Sequence, residues 1–134
     1  MARILIIDDD HDMVDSLSLI LKGNGYQVEA LYDTADLSVR IKSANPDLIL
    51  LDVMFPDDPQ AGFKAARLIA KDRHIRHLPV LILSAVNARS ELGFSFTDKD
   101  ISDDYLPVGG FLEKPFEPQV LLNRIRGLLH QNLS

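Results

Sequence analysis

The chain contains no cysteine, which excludes disulfides, thiolate metal sites and a thiol nucleophile. Long apolar runs are missing too. None approaches the roughly 20 residues a membrane-spanning helix needs. Met1-Ala2-Arg3 leads straight into a strand pattern rather than into the apolar core of a signal peptide. A cytoplasmic protein without membrane insertion is the expectation. Positive charge is scarce: 14 Lys and Arg stand against 20 Asp and Glu, a net charge of −6. Binding to a nucleic-acid backbone needs clustered cations, so no direct nucleic-acid contact is expected. The gathering of Lys71, Arg73 and Arg76 reads as a solvated helix end. No repeat, low-complexity stretch or linker divides the 134 residues, and residues 1–134 read as a single domain. That length suffices to bury roughly two-thirds of the unfolded surface. The four histidines, His11, His74, His77 and His130, have no ligand spacing with carboxylates. Surface or helix-end positions suit them, with His11 at most a rim residue.

What the chain does have is four short apolar runs, each ending on a residue able to do chemistry. Ile4-Leu5-Ile6-Ile7 enters Asp8-Asp9-Asp10, and Leu48-Ile49-Leu50-Leu51 ends on Asp52. Val80-Leu81-Ile82-Leu83 ends on Ser84, and Phe111-Leu112 is followed within two positions by Lys114-Pro115. Near-continuous apolar runs between helical patterns indicate parallel strands covered on both faces. Open parallel α/β sheets bind ligands beyond the carboxyl ends of their strands. The runs therefore carry several carboxylates, a hydroxyl and an ammonium to one crevice, an inventory suited to phosphoryl transfer onto a carboxylate.

Strand and helix alternate from end to end. Strands are expected at about Arg3–Asp8, Gln27–Leu31, Asp47–Asp52, Val80–Ser84 and Gly110–Glu113. The second alternates in polarity as an edge strand would. A first helix runs to Gly23 with Met13, Val14, Leu17, Ile20 and Leu21 on one face. Asp10 or Asp12 would cap its start, and Gly23-Asn24-Gly25 would stop it. A second spans about Thr34–Ala44, ending before Asn45-Pro46 because a residue ahead of proline avoids helical angles. A third spans Ala61–Lys71 with Phe63, Ala66, Ile69 and Ala70 inward. The last begins near Pro118, buries Leu121, Ile125, Leu128 and Leu129, and frays over Gln131–Ser134. Repeated βα units imply right-handed crossovers and helices on both faces of the sheet.

From Arg3 to about Leu129 the chain resembles the receiver domain of two-component response regulators. The motifs that carry the resemblance are Ile-Ile-Asp8-Asp9-Asp10, Asp52-Val-Met-Phe-Pro56, Ser84-Ala85 and Lys114-Pro115-Phe116. Each alone occurs by chance; all four, in order and at strand ends, form a specific signature. The resemblance implies a flavodoxin-like, doubly wound, five-stranded parallel sheet of order 2-1-3-4-5 with helices on both faces. It also implies that Asp52 is the phosphoryl acceptor, a carboxylate being competent to form an acyl phosphate. Two carboxylates about 4 Å apart repel by roughly 1 kcal/mol in water and 4 kcal/mol at an effective dielectric near 20. A cluster of three therefore invites protonation or a hard cation. Mg²⁺ prefers oxygen ligands and commonly uses one or two carboxylates plus substrate phosphate. Asp9 and Asp52 are assigned as direct ligands, Asp8 as a ligand through water, and the Met54 backbone carbonyl as a ligand by family resemblance. Ser84 and Lys114 would hold phosphoryl oxygens, and Phe111 occupies the family's aromatic switch position. The implied phosphodonor is a phosphohistidine on a histidine kinase or histidine phosphotransfer protein. The downstream protein is not identifiable, and the chain is read as a signalling protein rather than an enzyme.

Two segments depart from the family pattern. Phe55–Gly62 is lengthened by Asp57-Asp58-Pro59-Gln60 beside the acceptor site. Ser84 and Lys114 are separated by 29 residues, where a helix, two connections and a short strand need only about 20–26. The excess lies in the region 93–109, which would remodel the output face of strand four, the helix after it and strand five. Its acidic stretch lacks the glycine and glutamate of a calcium-binding loop. Two alternatives compete: a receiver-like interaction module that is not phosphorylated, and a small Asp-dependent phosphatase with Asp8 as nucleophile.

Overall fold

A computed structural model describes residues 2–52, 61–75, 77–85, 110–114 and 116–133. The five apolar segments form strands β1 (Arg3–Ile7), β2 (Gln27–Leu31), β3 (Leu48–Asp52), β4 (Val80–Ala85) and β5 (Gly110–Lys114). They make one sheet in the order β2-β1-β3-β4-β5, every pairing parallel. This is the expected doubly wound order, and β2 stands at an edge as its alternating polarity anticipated. The helices are α1 (His11–Gly23), α2 (Leu37–Ala44), α3 (Ala61–Lys71) and α4 (Pro118–Leu133). The expected helix between β4 and β5, and the enlarged region 93–109, lie outside the described residues, as does the lengthened segment after β3.

Alternation along the strands divides the core in two. Leu5, Ile7, Ile49, Leu51, Val80 and Ile82 point to one face, where Leu37, Ile41, Ala65 and Ile69 of α2 and α3 cover them. Ile4, Ile6, Leu48, Leu50, Leu81 and Leu83 point to the other, under Val14, Leu17 and Leu21 of α1 and Leu121 and Ile125 of α4. All four apolar residues of β1 and of β3 are fully buried, which is why those strands read as unbroken apolar runs. Burying one Leu or Ile contributes about 1.5–3 kcal/mol. A one-residue slip of β2 against β1 would turn Val28 and Ala30, packed against the α1 cluster, to the opposite face.

The boundaries differ from expectation at informative places. Helix α2 starts at Leu37 rather than near Thr34. The Asp33 carboxylate accepts the Ala35 backbone N–H at 3.0 Å and the Arg40 guanidinium, and Asp36 adopts left-handed angles with φ 49°. These local bonds offer the backbone an alternative to a helical turn. Ala65 and Leu122 belong to the core, and Ile75 and Leu78 of the turn after α3 join it. Leu128 and Leu129 are only partly buried, and the α4 backbone continues helical to Leu133 instead of fraying at Gln131. The side chains of Phe63 and Ala66 lie outside the described residues.

Candidate acidic site at the strand ends

Register places the acidic residues before any side chain is considered. Ile7 pairs with Leu51 across β1 and β3, so Asp8 and Asp52 follow at the same level of the sheet. Strand β1 ends at Ile7, but the Asp8 N–H still donates to the Leu31 carbonyl of β2 at 3.0 Å. Asp8 is thereby tied to the end of β2. Asp52 pairs with Leu83, one residue before Ser84, and Ala85 pairs with Lys114. The backbones of Ser84 and Lys114 thus stand at the same carboxyl-terminal edge as the acids. Their side chains, that of Phe111, and the whole of Met54 lie outside the described residues.

The described carboxylates converge. Asp8, Asp9 and Asp52 each offer an oxygen within 4.8 Å of the other two. Asp8 is fully buried and Asp52 is 4% exposed, while Asp9 is half-buried. At that separation each ionised pair costs about 3.5 kcal/mol at an effective dielectric near 20, against under 1 kcal/mol in water. The donor set is all oxygen, anionic and convergent, which suits a hard divalent cation and not a soft one.

The neighbouring acids have other work. Asp10 is the N-cap of α1: its Oδ1 accepts the backbone N–H groups of Asp12 and Met13 at 3.0 and 3.2 Å. Its own N–H donates to Asp8 Oδ1 at 2.9 Å. The expected helix-start role of Asp10 is therefore what the structure contains. Asp12 lies in the first turn of α1, where a negative charge meets the positive end of the helix dipole. His11 is the exposed first residue of α1. Its ring stacks on Tyr32, just past the end of β2, with centroids 4.0 Å apart and planes within 6°. The sequence carries one signal for Tyr32, an aromatic closing an edge strand beside an acidic turn.

Among the described residues no helix is long and apolar enough to cross a membrane. The chain spans about half the length of the curated relatives it matches. It is 36% identical over 130 residues to the response regulator MprA of Mycobacterium bovis, covering 97% of this chain and 51% of that protein. It is 34% identical over 131 residues to the DNA-binding dual master transcriptional regulator RpaA of Synechocystis, covering 98% and 50%. A receiver domain protein from Methanospirillum hungatei matches with a TM-score of 0.77 over 98% of this chain and 96% of that one. At 24% identity this likeness speaks for the fold alone. With the response regulator receiver domain model matching residues 4–126, the chain belongs to that family of two-component signalling domains.

Proposed function

We propose that Asp52 accepts a phosphoryl group from a phosphohistidine on a histidine kinase or histidine phosphotransfer protein, and that the domain signals through the surface this changes. The observation that carries the proposal is the convergence of Asp8, Asp9 and Asp52 at the strand ends. The Asp52 carboxylate oxygen attacks phosphorus, the P–N bond to the donor imidazole breaks, and the nitrogen keeps the bonding pair. Asp9 and Asp52 would be the direct ligands for Mg²⁺, with Asp8 acting through water and the Met54 carbonyl completing the protein's share. When bound, Mg²⁺ supplies positive charge against the negative phosphoryl oxygens, the dominant need in phosphoryl transfer.

Asp8 holds its position through the bonds its backbone and Oδ1 make with Leu31 and Asp10. Lys114 and Ser84, from the adjoining strand ends, are assigned to the remaining phosphoryl oxygens. A new phosphate brings about −1.5 to −2 charges and three acceptor oxygens. It draws the ends of β4 and β5 inward, Phe111 turns toward the space vacated, and the face of β4, the segment after it and β5 changes. The chain acts as a signalling protein, catalysing only the formation and loss of its own aspartyl phosphate. Residues 1–134 act as one receiver unit, and the region 93–109 shapes what docks on the output face. With a net charge of −6, this unit is not the part of a regulator that grips DNA.

Intact mass measurement after acetyl phosphate treatment tests the proposal. Wild type should gain one phosphoryl mass with Mg²⁺ and little without it, and Asp52→Asn should gain none. No gain in wild type identifies the unphosphorylated interaction module instead. Loss of the gain in Asp8→Asn together with its retention in Asp52→Asn would identify the phosphatase-like alternative.

A further inference from the structure

The turn that carries the acids is tied to β2 at both ends. At its start the Asp8 N–H bonds the Leu31 carbonyl at 3.0 Å. At its finish the His11 ring lies flat on the ring of Tyr32, the residue after Leu31. Two consecutive residues of one strand end thus grip both ends of a four-residue turn, and Asp9, the half-buried carboxylate, lies between the grips. The inner bonds complete the frame: Asp10 N–H to Asp8 Oδ1, and Asp10 Oδ1 to the start of α1.

We infer that His11 and Tyr32 are positioning residues for the acidic site, their stacked rings holding the β1–α1 turn so that Asp9 meets a divalent cation beside Asp8 and Asp52. Neither ring is a ligand or touches the transferred group. The physical reason is pre-organisation. A turn held by fewer contacts samples more conformations, and a bound cation must then bear more of the entropy of ordering it. A stacked aromatic pair also has a ring-on-ring geometry that a methyl group cannot replace. Tyr32 is 39% exposed, His11 is exposed, and neither belongs to a core cluster, so the pair sits partly in water. The role therefore belongs to cation binding more than to folding.

This inference rests on the cation role assigned to the acids above, and Mg²⁺ affinity read by titration calorimetry tests it without requiring phosphorylation. His11→Ala and Tyr32→Ala should each weaken Mg²⁺ about two- to tenfold, the range an aromatic pair commands. Tyr32→Phe and His11→Phe, which keep two rings, should restore wild-type affinity. The double alanine variant should be no weaker than either single one, because both remove the same contact. Unchanged affinity in both alanine variants, fully additive losses, or failure of the ring-retaining variants to rescue would overturn the inference. Wild-type protein that takes up no Mg²⁺ would instead bring down the cation reading itself. Weakened Mg²⁺ uptake in the alanine variants of a protein that acetyl phosphate never modifies would uphold the positioning role and overturn the phosphoacceptor proposal.

Discussion

At Asp10 the side chain and the main chain face opposite ways. The carboxylate closes the first turn of α1, while the N–H reaches back to Asp8. Three acids in succession therefore divide into one that caps a helix and two that face Asp52. Replacing Asp10 by Ala removes the cap and keeps the N–H. Thermal unfolding should show a loss of about 1 kcal/mol, and calorimetry should show Mg²⁺ binding within a few-fold of wild type. A collapse of Mg²⁺ affinity in that variant would mean that Asp10 is itself a ligand. The separation of roles was legible in the sequence, since an Asp preceding an apolar helical pattern is a cap by position. The ring contact of His11 with Tyr32 was not. The two are far apart in sequence, and only the register of β1 on β2 brings them together.

Between elements, an ion pair joins α2 to the turn after α3, Lys42 Nζ to Asp72 Oδ2 at 3.0 Å. Asp72 is also the anchor of its own turn, accepting the His74 N–H at 2.9 Å. That backbone bond, the Lys42 ammonium and the Ser38 hydroxyl together hold its carboxyl below the ordinary carboxylate value, against a smaller opposing effect of burial. A carboxyl lowered on folding stabilises the native state above its unfolded value of about 3.9, and the benefit is lost as pH falls through the folded value. Urea midpoints of wild type and Asp72→Asn should therefore differ most near neutrality, with wild type higher. The gap should close as pH drops below about 4. A gap independent of pH would show that the asparagine loses something other than charge. The pairing was invisible to sequence reasoning because α2 and α3 cover the same face of the sheet only after two crossovers. The late start of α2 escaped for a related reason: Asp33 commits its carboxylate to Ala35 and Arg40 and holds the chain out of the helix.

For the molecule as a whole, the acidic site brings three carboxylates to one place at the strand ends. Two of its three carboxylates are out of water, and a cation that binds only the native arrangement stabilises it by mass action. Mg²⁺ at about a hundred times its dissociation constant should add about 2.7 kcal/mol, which raises the melting temperature by roughly 10 °C for a domain of this size. Asp9→Asn, which gives up one of the assigned ligands, should respond less to the ion. Scanning calorimetry with and without the ion checks both. A wild-type melting temperature indifferent to Mg²⁺ would contradict the cation role.

Much of this architecture follows from the order of residue types alone. Unbroken apolar runs on β1, β3 and β4 demand cover on both faces, and the intervening helical patterns provide it, so a parallel doubly wound sheet is the solution that buries both faces of those strands. Each run stops on a polar residue at the same end of its strand, so the meeting of Asp8 and Asp52 was already implied once the strands were parallel. Tertiary structure decided the rest: the register that stacks Tyr32 on His11, the crossing that pairs Lys42 with Asp72, and the depth at which Asp8 and Asp52 lose water. Those outcomes depend on distances between segments remote along the chain. Local propensity and periodicity do not encode such distances, because they arise only when several buried faces are packed at once.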